Sequence, residues 1–492
     1  MRFRSAFLAL LLVGGALAGG GWYLEHEAGL HPARAMEGGR HGTGAPSGAW
    51  YCPHGGGKSG WSANLSITNP GDREVAVRVR DMSKSGSGEP RDLTVPPRTR
   101  VTVEVPADHR ESSTEVEYFG GWVAAGWMAV ATGERSGPGP SPSPAVGGES
   151  GTEVPSPIER GVAAEPCLPA AGRTWFLPDG TTSQGEEAFV IVMNPFAAEA
   201  VFLLSFVAEG RVVNVGDLTL PGNSSLAIHI NKPGGGLPGA LGERTVAAVI
   251  RASIGRVAAA SLGITDEGGV RSTEGVPDTA RELVFPGAAG AGRTDVPMVN
   301  PADLGLTYGV DALEPAGRQS VRPAGQRLAP QASITETATV AGSAALEVTT
   351  MGEGGGDGGV AAARRSLGLR GDQGATLGQV PEQAWLMTSP AAEGRDTVNI
   401  VLANPGDSPV SVTLSAITPD GPIGEPQDVT VPPGSTVPAP VDFLAGHGQA
   451  SVVAVSSDGT FVAAETSTAA AGSGYAVAAG VPIPPRWVPA AP

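Results

Sequence analysis

The sequence predicts an all-β protein: four tandem immunoglobulin-like β-sandwich repeats, the third degenerate, after an N-terminal transmembrane or signal helix. Three observations predict it. Short runs alternate apolar and polar residues between turn residues, the period of half-buried strands. Gly (73) and Pro (44) are abundant, which suits many turns and would break long helices. An Asn-Pro pair closes an alternating run four times, at Asn69, Asn194, Asn300 and Asn404.

The first element is an export signal. Arg2 and Arg4 precede Ser5–Leu24, a run without a charged residue. About 20 such residues can span a bilayer, and the positive end then stays inside. Residues 1–24 are therefore expected to anchor the chain in the cell membrane by a single N-terminal span, with the bulk extracytoplasmic. The alternative is a signal peptide cut near Ala18, where Ala16-Leu17-Ala18 fits a peptidase site. Residues 25–48 read as a flexible spacer. Its His26, His31 and His41 are irregularly spaced, and no metal is expected there.

Sandwich repeats follow at 49–168, 169–279, 280–381 and 382–485, with a tail at 486–492. Trp50, Trp175 and Trp385 each stand 19 positions before the Asn of their repeat. Repeat three offers only Phe285, 15 positions before Asn300, which marks it as degenerate. A strand ending in Pro comes next, as in Leu93-Thr94-Val95-Pro96. A Gly-led turn then enters Val-Ala-Ala, as in Gly255-Arg256-Val257-Ala258-Ala259. Asn-Pro at a strand end stops the ladder, because Pro donates no hydrogen bond and Asn tolerates turn geometry. A propeller would need shorter, more uniform blades, so separate sandwiches are expected.

Cys52 lies on the first strand of repeat one and Cys167 on its closing strand. In an exported chain two cysteines imply a disulfide, stabilising by about 4–5 kcal/mol for so long a loop. Residues 134–160 become a Pro/Ser/Gly-rich loop inside repeat one.

A net charge of −17 disfavours nucleic acid as a partner. No Gly-x-Ser-x-Gly elbow or His-Glu-x-x-His motif occurs, and no cofactor, metal or catalytic residue is expected. Glu111, Glu115 and Glu117 read as a solvated strand flank rather than a glycosidase pair. Asp266-Glu267 and Glu353 to Asp357 read as acidic turns. Repeat one concentrates aromatics. Trp61, Trp122 and Trp127 are candidate ligand contacts for a wall polysaccharide, against the alternative that they fill the core.

The Trp50-Tyr51-Cys52-Pro53 start, the recurring strand into Asn-Pro, the distal Cys167 before Trp175-Phe176 and the N-terminal anchor together resemble a family. It is an uncharacterised domain-of-unknown-function family of exported, N-terminally anchored envelope proteins of high-GC Gram-positive (actinobacterial-type) bacteria. The resemblance covers residues 49–484 and implies an envelope location without an assigned activity. The expected function is a non-catalytic envelope scaffold or interaction module. Its partners would be the membrane, through the N-terminal segment, and an envelope protein or wall polysaccharide. The alternatives are a glycan-binding protein and a hydrolase with an unrecognised carboxylate pair.

Overall fold

The computed structural model describes residues 47–488, apart from 58–59, 134–158, 209, 232–244, 266–267, 288–292, 341–343, 354–357, 368–372, 389–394, 440–443, 445–449 and 470–473. The anchor or signal segment, the spacer up to residue 46, most of the Pro-rich loop and the two acidic turns other than Glu353 lie outside the described residues; Ser47 and Gly48, expected in the spacer, begin the first strand of repeat one. Among the described residues, no helix is long and apolar enough to cross a membrane.

The fold is all-β, and repeat two shows its plan. One antiparallel sheet holds Thr174–Leu177, Ala247–Ile254, Ala200–Ala208 and Arg211–Leu220, in that order. The facing sheet holds Ser224–His229, Glu187–Asn194, Ala258–Ile264 and Val270–Glu274. Phe202, Leu204 and Phe206 from the first sheet meet Val190 and Val192 from the second in one core, as alternation along each strand requires. The other three repeats have the same two-sheet plan. Repeat three is therefore complete in strands.

Its degeneracy is one of side chains. Gly172, Ala280 and Glu382 make equivalent bridges to Val257, Val360 and Phe461. Three residues on stand Trp175, Leu283 and Trp385. Leu283, not Phe285, thus occupies the tryptophan position. Trp50, Trp175 and Trp385 donate their indole N–H to the carbonyls of Val123, Val257 and Phe461 at 2.6–2.7 Å. Leucine keeps the burial and gives up that bond.

Cys52 and Cys167 are disulfide-bonded, with Cα atoms 4.6 Å apart. The equivalent residues in repeat three are Phe285 and Gly378, where an added Cβ would stand 2.9 Å from the Phe285 ring. Repeat one has exchanged ring and glycine for two sulfurs.

Each landmark Asn is a buried clasp, not only a turn residue. The Asn194 side-chain nitrogen donates to the carbonyls of Ala198, Leu220 and Pro221 at 2.8, 3.2 and 3.1 Å. Its oxygen accepts from Phe196 N. Asn69 and Asn404 repeat all four contacts, and Asn300 three of them. All four are at most 1% exposed. The clasp ties the turn after one strand to the end of the strand that ends in Pro.

The four sandwiches close into a ring. Ser113 meets Ser225 (2.8 Å) between repeats one and two. Ser333 donates to Val207 O (2.8 Å) between two and three. Ala345 N donates to Thr436 (3.0 Å) between three and four. Ser451 meets Thr68 (2.6 Å) between four and one. A head-to-tail contact whose rotation closes gives a ring, here within one chain. The closing strands Arg160–Pro166, Val270–Glu274, Gln373–Leu377 and Tyr475–Ala479 form the hub, each packed against two of the others. The approach is close: a Cβ on Gly474 would lie 2.7 Å from Gly161 Cα. No peptide link joins repeat four to repeat one. There Val481 and Ile483 enter the repeat-one core, and Trp487 and Val488 pack against it.

Candidate functional site: the hub and the four seams

The hub buries more ionisable groups than its sequence suggests. Between repeats two and three, Asp179 sits between Arg271 and Arg365, all three nearly inaccessible. Arg271 also donates to Gln373 Oε1 at 2.7 Å. Burial alone would raise the Asp179 carboxyl, but the two guanidinium groups hold it below its usual range. Such a network is strongly destabilised if one member is removed. Between repeats one and two, Glu165 and Glu274 are 2% and 4% exposed. Burial pushes both carboxyls well above their usual range, and Glu274 adds to the rise at Glu165. In both, burial favours the protonated form over the carboxylate.

One core position varies widely around the ring. Cross-strand pairing makes Trp127, Ser261, Arg364 and Glu465 equivalent. Arg364 is fully buried and donates to the carbonyls of Pro286 and Ala344 at 2.9 and 2.7 Å. Burial lowers its pKa to about 10.

The three candidate aromatics do not form a platform. Trp127 has no exposed surface and Trp122 is 7% exposed, so both fill the repeat-one core. Trp61 is half-buried, donates to Glu159 at 2.6 Å and lies under Arg110. Glu115 is likewise not on a solvated flank. It is 5% exposed and pairs with Arg80 at 2.9 Å. Alternation identified its face but not the neighbouring repeat that covers it.

The seams themselves come in two kinds. The strands beginning at Val75, Ala200, Leu306 and Val410 are equivalent, since each pairs there with the end of its hairpin partner. Five residues on come Arg80, Ser205, Asp311 and Ser415. They face Glu115, Val249, Glu347 and Val453. Repeats one and three are thus charged where repeats two and four are Ser and Val.

The charged pairs bridge their seams. Arg80, held by Glu115, donates to Asn223 Oδ1 of repeat two at 3.2 Å. Arg318, held by Glu347 and Asp311, donates to the Pro405 carbonyl of repeat four at 2.6 Å. At the other two seams the same place is a groove. The groove between repeats two and three has a volume of about 400 Å³. Its floor is Leu203, Val207, Val212 and Val249, and its rim includes Arg251, Asp303 and Gln331. The groove between four and one holds about 140 Å³ and is lined by Pro70, Ile417, Pro422, Ile423 and Val453. The first of these two is in the size range of ligand sites. No local motif marks it, because its walls come from two repeats.

Fold and seams together define a closed ring of four sandwiches around a buried hub, ionic between repeats two and three and apolar between four and one. Residues 129–338 and 334–491 match a family described as "Family of unknown function (DUF5719)", and the chain belongs to that family. No curated protein matches. Among solved structures, the crystal structure of Thermotoga maritima 1070 is similar at 18% identity. That match covers 22% of this chain and 96% of that one, with a TM-score of 0.20. The tetra-tandem repeat in the extending region of a large adhesion protein is similar at 10% identity. It covers 88% of this chain and 98% of that one, with a TM-score of 0.11.

Proposed function

We propose that this protein is a non-catalytic scaffold of the cell envelope, held outside the membrane by its N-terminal segment, and that the ring presents its seams to a partner protein. The observation that carries this reading is the alternation of bridged and open seams. Two seams are occupied by the chain's own arginines, while the larger of the other two leaves a ligand-sized groove on a rigid frame. Glu165 and Glu274 are buried among the packed hub strands, away from substrate access, which supports a non-catalytic role. The burial of Trp122 and Trp127 removes support from the glycan-platform alternative.

The test is photo-crosslinking in intact cells from Asn214 in the groove and from exposed Leu304 beside it. A single envelope protein captured from these positions, and not from Val380 elsewhere on the surface, is the expected result. Hydrolytic turnover by the purified protein, abolished by Glu165→Gln or Glu274→Gln, would refute the non-catalytic reading.

A further inference from the structure

The bridged seams show what the open one is shaped to hold. In both, a guanidinium on the face of one sandwich reaches the paired turns of the next, the Asn-Pro turn and the turn bonded to it. In both it reaches that turn region: the side-chain oxygen of Asn223 in one case, the carbonyl of Pro405 in the other. The seam between repeats two and three keeps the receiving half. Pro301 stands where Pro405 stands, after an Asn clasped in the same way. Gln331 stands where Asn223 stands: both have positive φ, 48° and 52°, and both amides donate to the preceding turn, to Ala302 O and Phe196 O. Both Pro301 and Gln331 line the groove. The donating half is missing, because Ser205 and Val249 replace Arg80 and Glu115. In place of Glu115, the exposed carboxylate of Asp303 stands on the rim, accepting from Gln331 Nε2 at 2.6 Å.

We infer that the groove between repeats two and three binds an extended segment of a partner polypeptide through an arginine side chain, which takes the place Arg80 and Arg318 fill at the bridged seams. Asp303 would supply the charge partner and Gln331 and Pro301 neutral acceptors, the set a guanidinium fork uses well. The apolar floor of Leu203, Val207, Val212 and Val249 would take the flanking aliphatic side chains. Arg251 on the same rim disfavours a run of cations, so the matching segment carries one arginine with a carboxylate close by. This rests on the scaffold reading above and names the chemistry of its partner.

The experiment titrates the full chain with a labelled peptide, Thr-Val-Arg-Val-Asp-Thr, and with the same peptide carrying citrulline for arginine. Citrulline keeps the shape and removes the charge. The expected result is roughly ten-fold or greater preference for arginine, falling with added salt. The double variant Ser205→Arg, Val249→Glu rebuilds the bridge of the first seam and should abolish binding. Asp303→Asn, at an exposed position, should remove most of the preference without affecting the fold, and keeps the test decisive if the double variant does not fold. Equal binding of the two peptides, no binding of the arginine peptide, or binding unchanged by Asp303→Asn overturns the inference. If crosslinking from the groove still captures a partner while the peptide fails, the arginine assignment falls and the scaffold reading stands.

Discussion

The bridged and open seams of the ring are built on one backbone plan, yet two facing positions separate them. Arg80 with Glu115, and Asp311 with Glu347, occupy the places that Ser205 with Val249, and Ser415 with Val453, occupy in the alternate repeats. What all four repeats share is internal: the Asn clasp and the two-sheet core. What alternates lies where one repeat meets the next. The seams, rather than the clasp or the two-sheet plan, are therefore where the repeats of this architecture diverge.

That comparison assumes the clasp is equally important in every repeat. Asn194→Ala should cost about 3 kcal/mol, because three carbonyls and one amide lose a buried partner. Asn404→Ala should cost the same, since its contacts are the same. Denaturant unfolding of both variants checks this. A repeat that tolerates the change within 0.5 kcal/mol, about the range of a surface substitution, would break the claim that the repeats are internally alike.

The clasp also shows how far the sequence was legible. Asn-Pro is visible in the sequence as punctuation, and with strand alternation it marks the four repeats, because these are local patterns; the disulfide follows from aligning Cys52 and Cys167 on the first and closing strands of one repeat. The bonds from Asn194 to Leu220 and Pro221 were not visible, since they join segments far apart in the chain. Ring closure, the hub and the grooves depend on how the repeats pack, which no period within a repeat records. Glu115 looks solvated in the sequence for this reason, since the repeat that buries it is distant in the chain. Leu283 carries no aromatic signal, while its position requires only burial.

The seams should differ in how they respond to losing a carboxylate. Glu347→Ala strips Arg318 of its buried partner and should cost about 2 kcal/mol, discounted because the arginine is 35% exposed. Asp303→Ala at the open seam should cost less than about 0.5 kcal/mol. Thermal unfolding of the two variants side by side is the measurement. Equal losses would mean that the bond from Gln331 to Asp303 holds the open seam as firmly as Glu347 holds the bridged one, and the two kinds of seam would no longer be distinct.

The bridged seam should also respond to pH in a way the open seam does not. Burial, outweighing Arg80, raises Glu115 from 4.5 to about 7. The native state therefore keeps a proton that the unfolded chain releases. Between pH 4.5 and about 7 the unfolded state binds fewer protons, so this contribution to stability falls as pH rises. Glu115→Gln should flatten that slope. Glu165 and Glu274 act in the same direction, so the informative quantity is the difference between wild type and variant. Hydrogen exchange across pH should locate that difference at Ser113–Phe119 and not at Ala247–Ile254, where Val249 faces the seam.

The smallest effect concerns the turn that each seam presents to its neighbour. Arg98, Asn223, Gln331 and Gly434 share one left-handed conformation, with φ of 51°, 52°, 48° and 58°. Only glycine adopts it without steric cost, and Asn tolerates it better than Gln or Arg. Gln331→Gly should therefore stabilise the protein by about 0.5 kcal/mol, the relief of the left-handed strain less the entropy glycine loses on folding. Asn223→Gly should gain less than Gln331→Gly, because Asn is less strained there and the change also removes the acceptor used by Arg80. If the two substitutions gave equal gains, Arg80 would contribute nothing through Asn223, and the bridge between repeats one and two would reduce to its pair with Glu115.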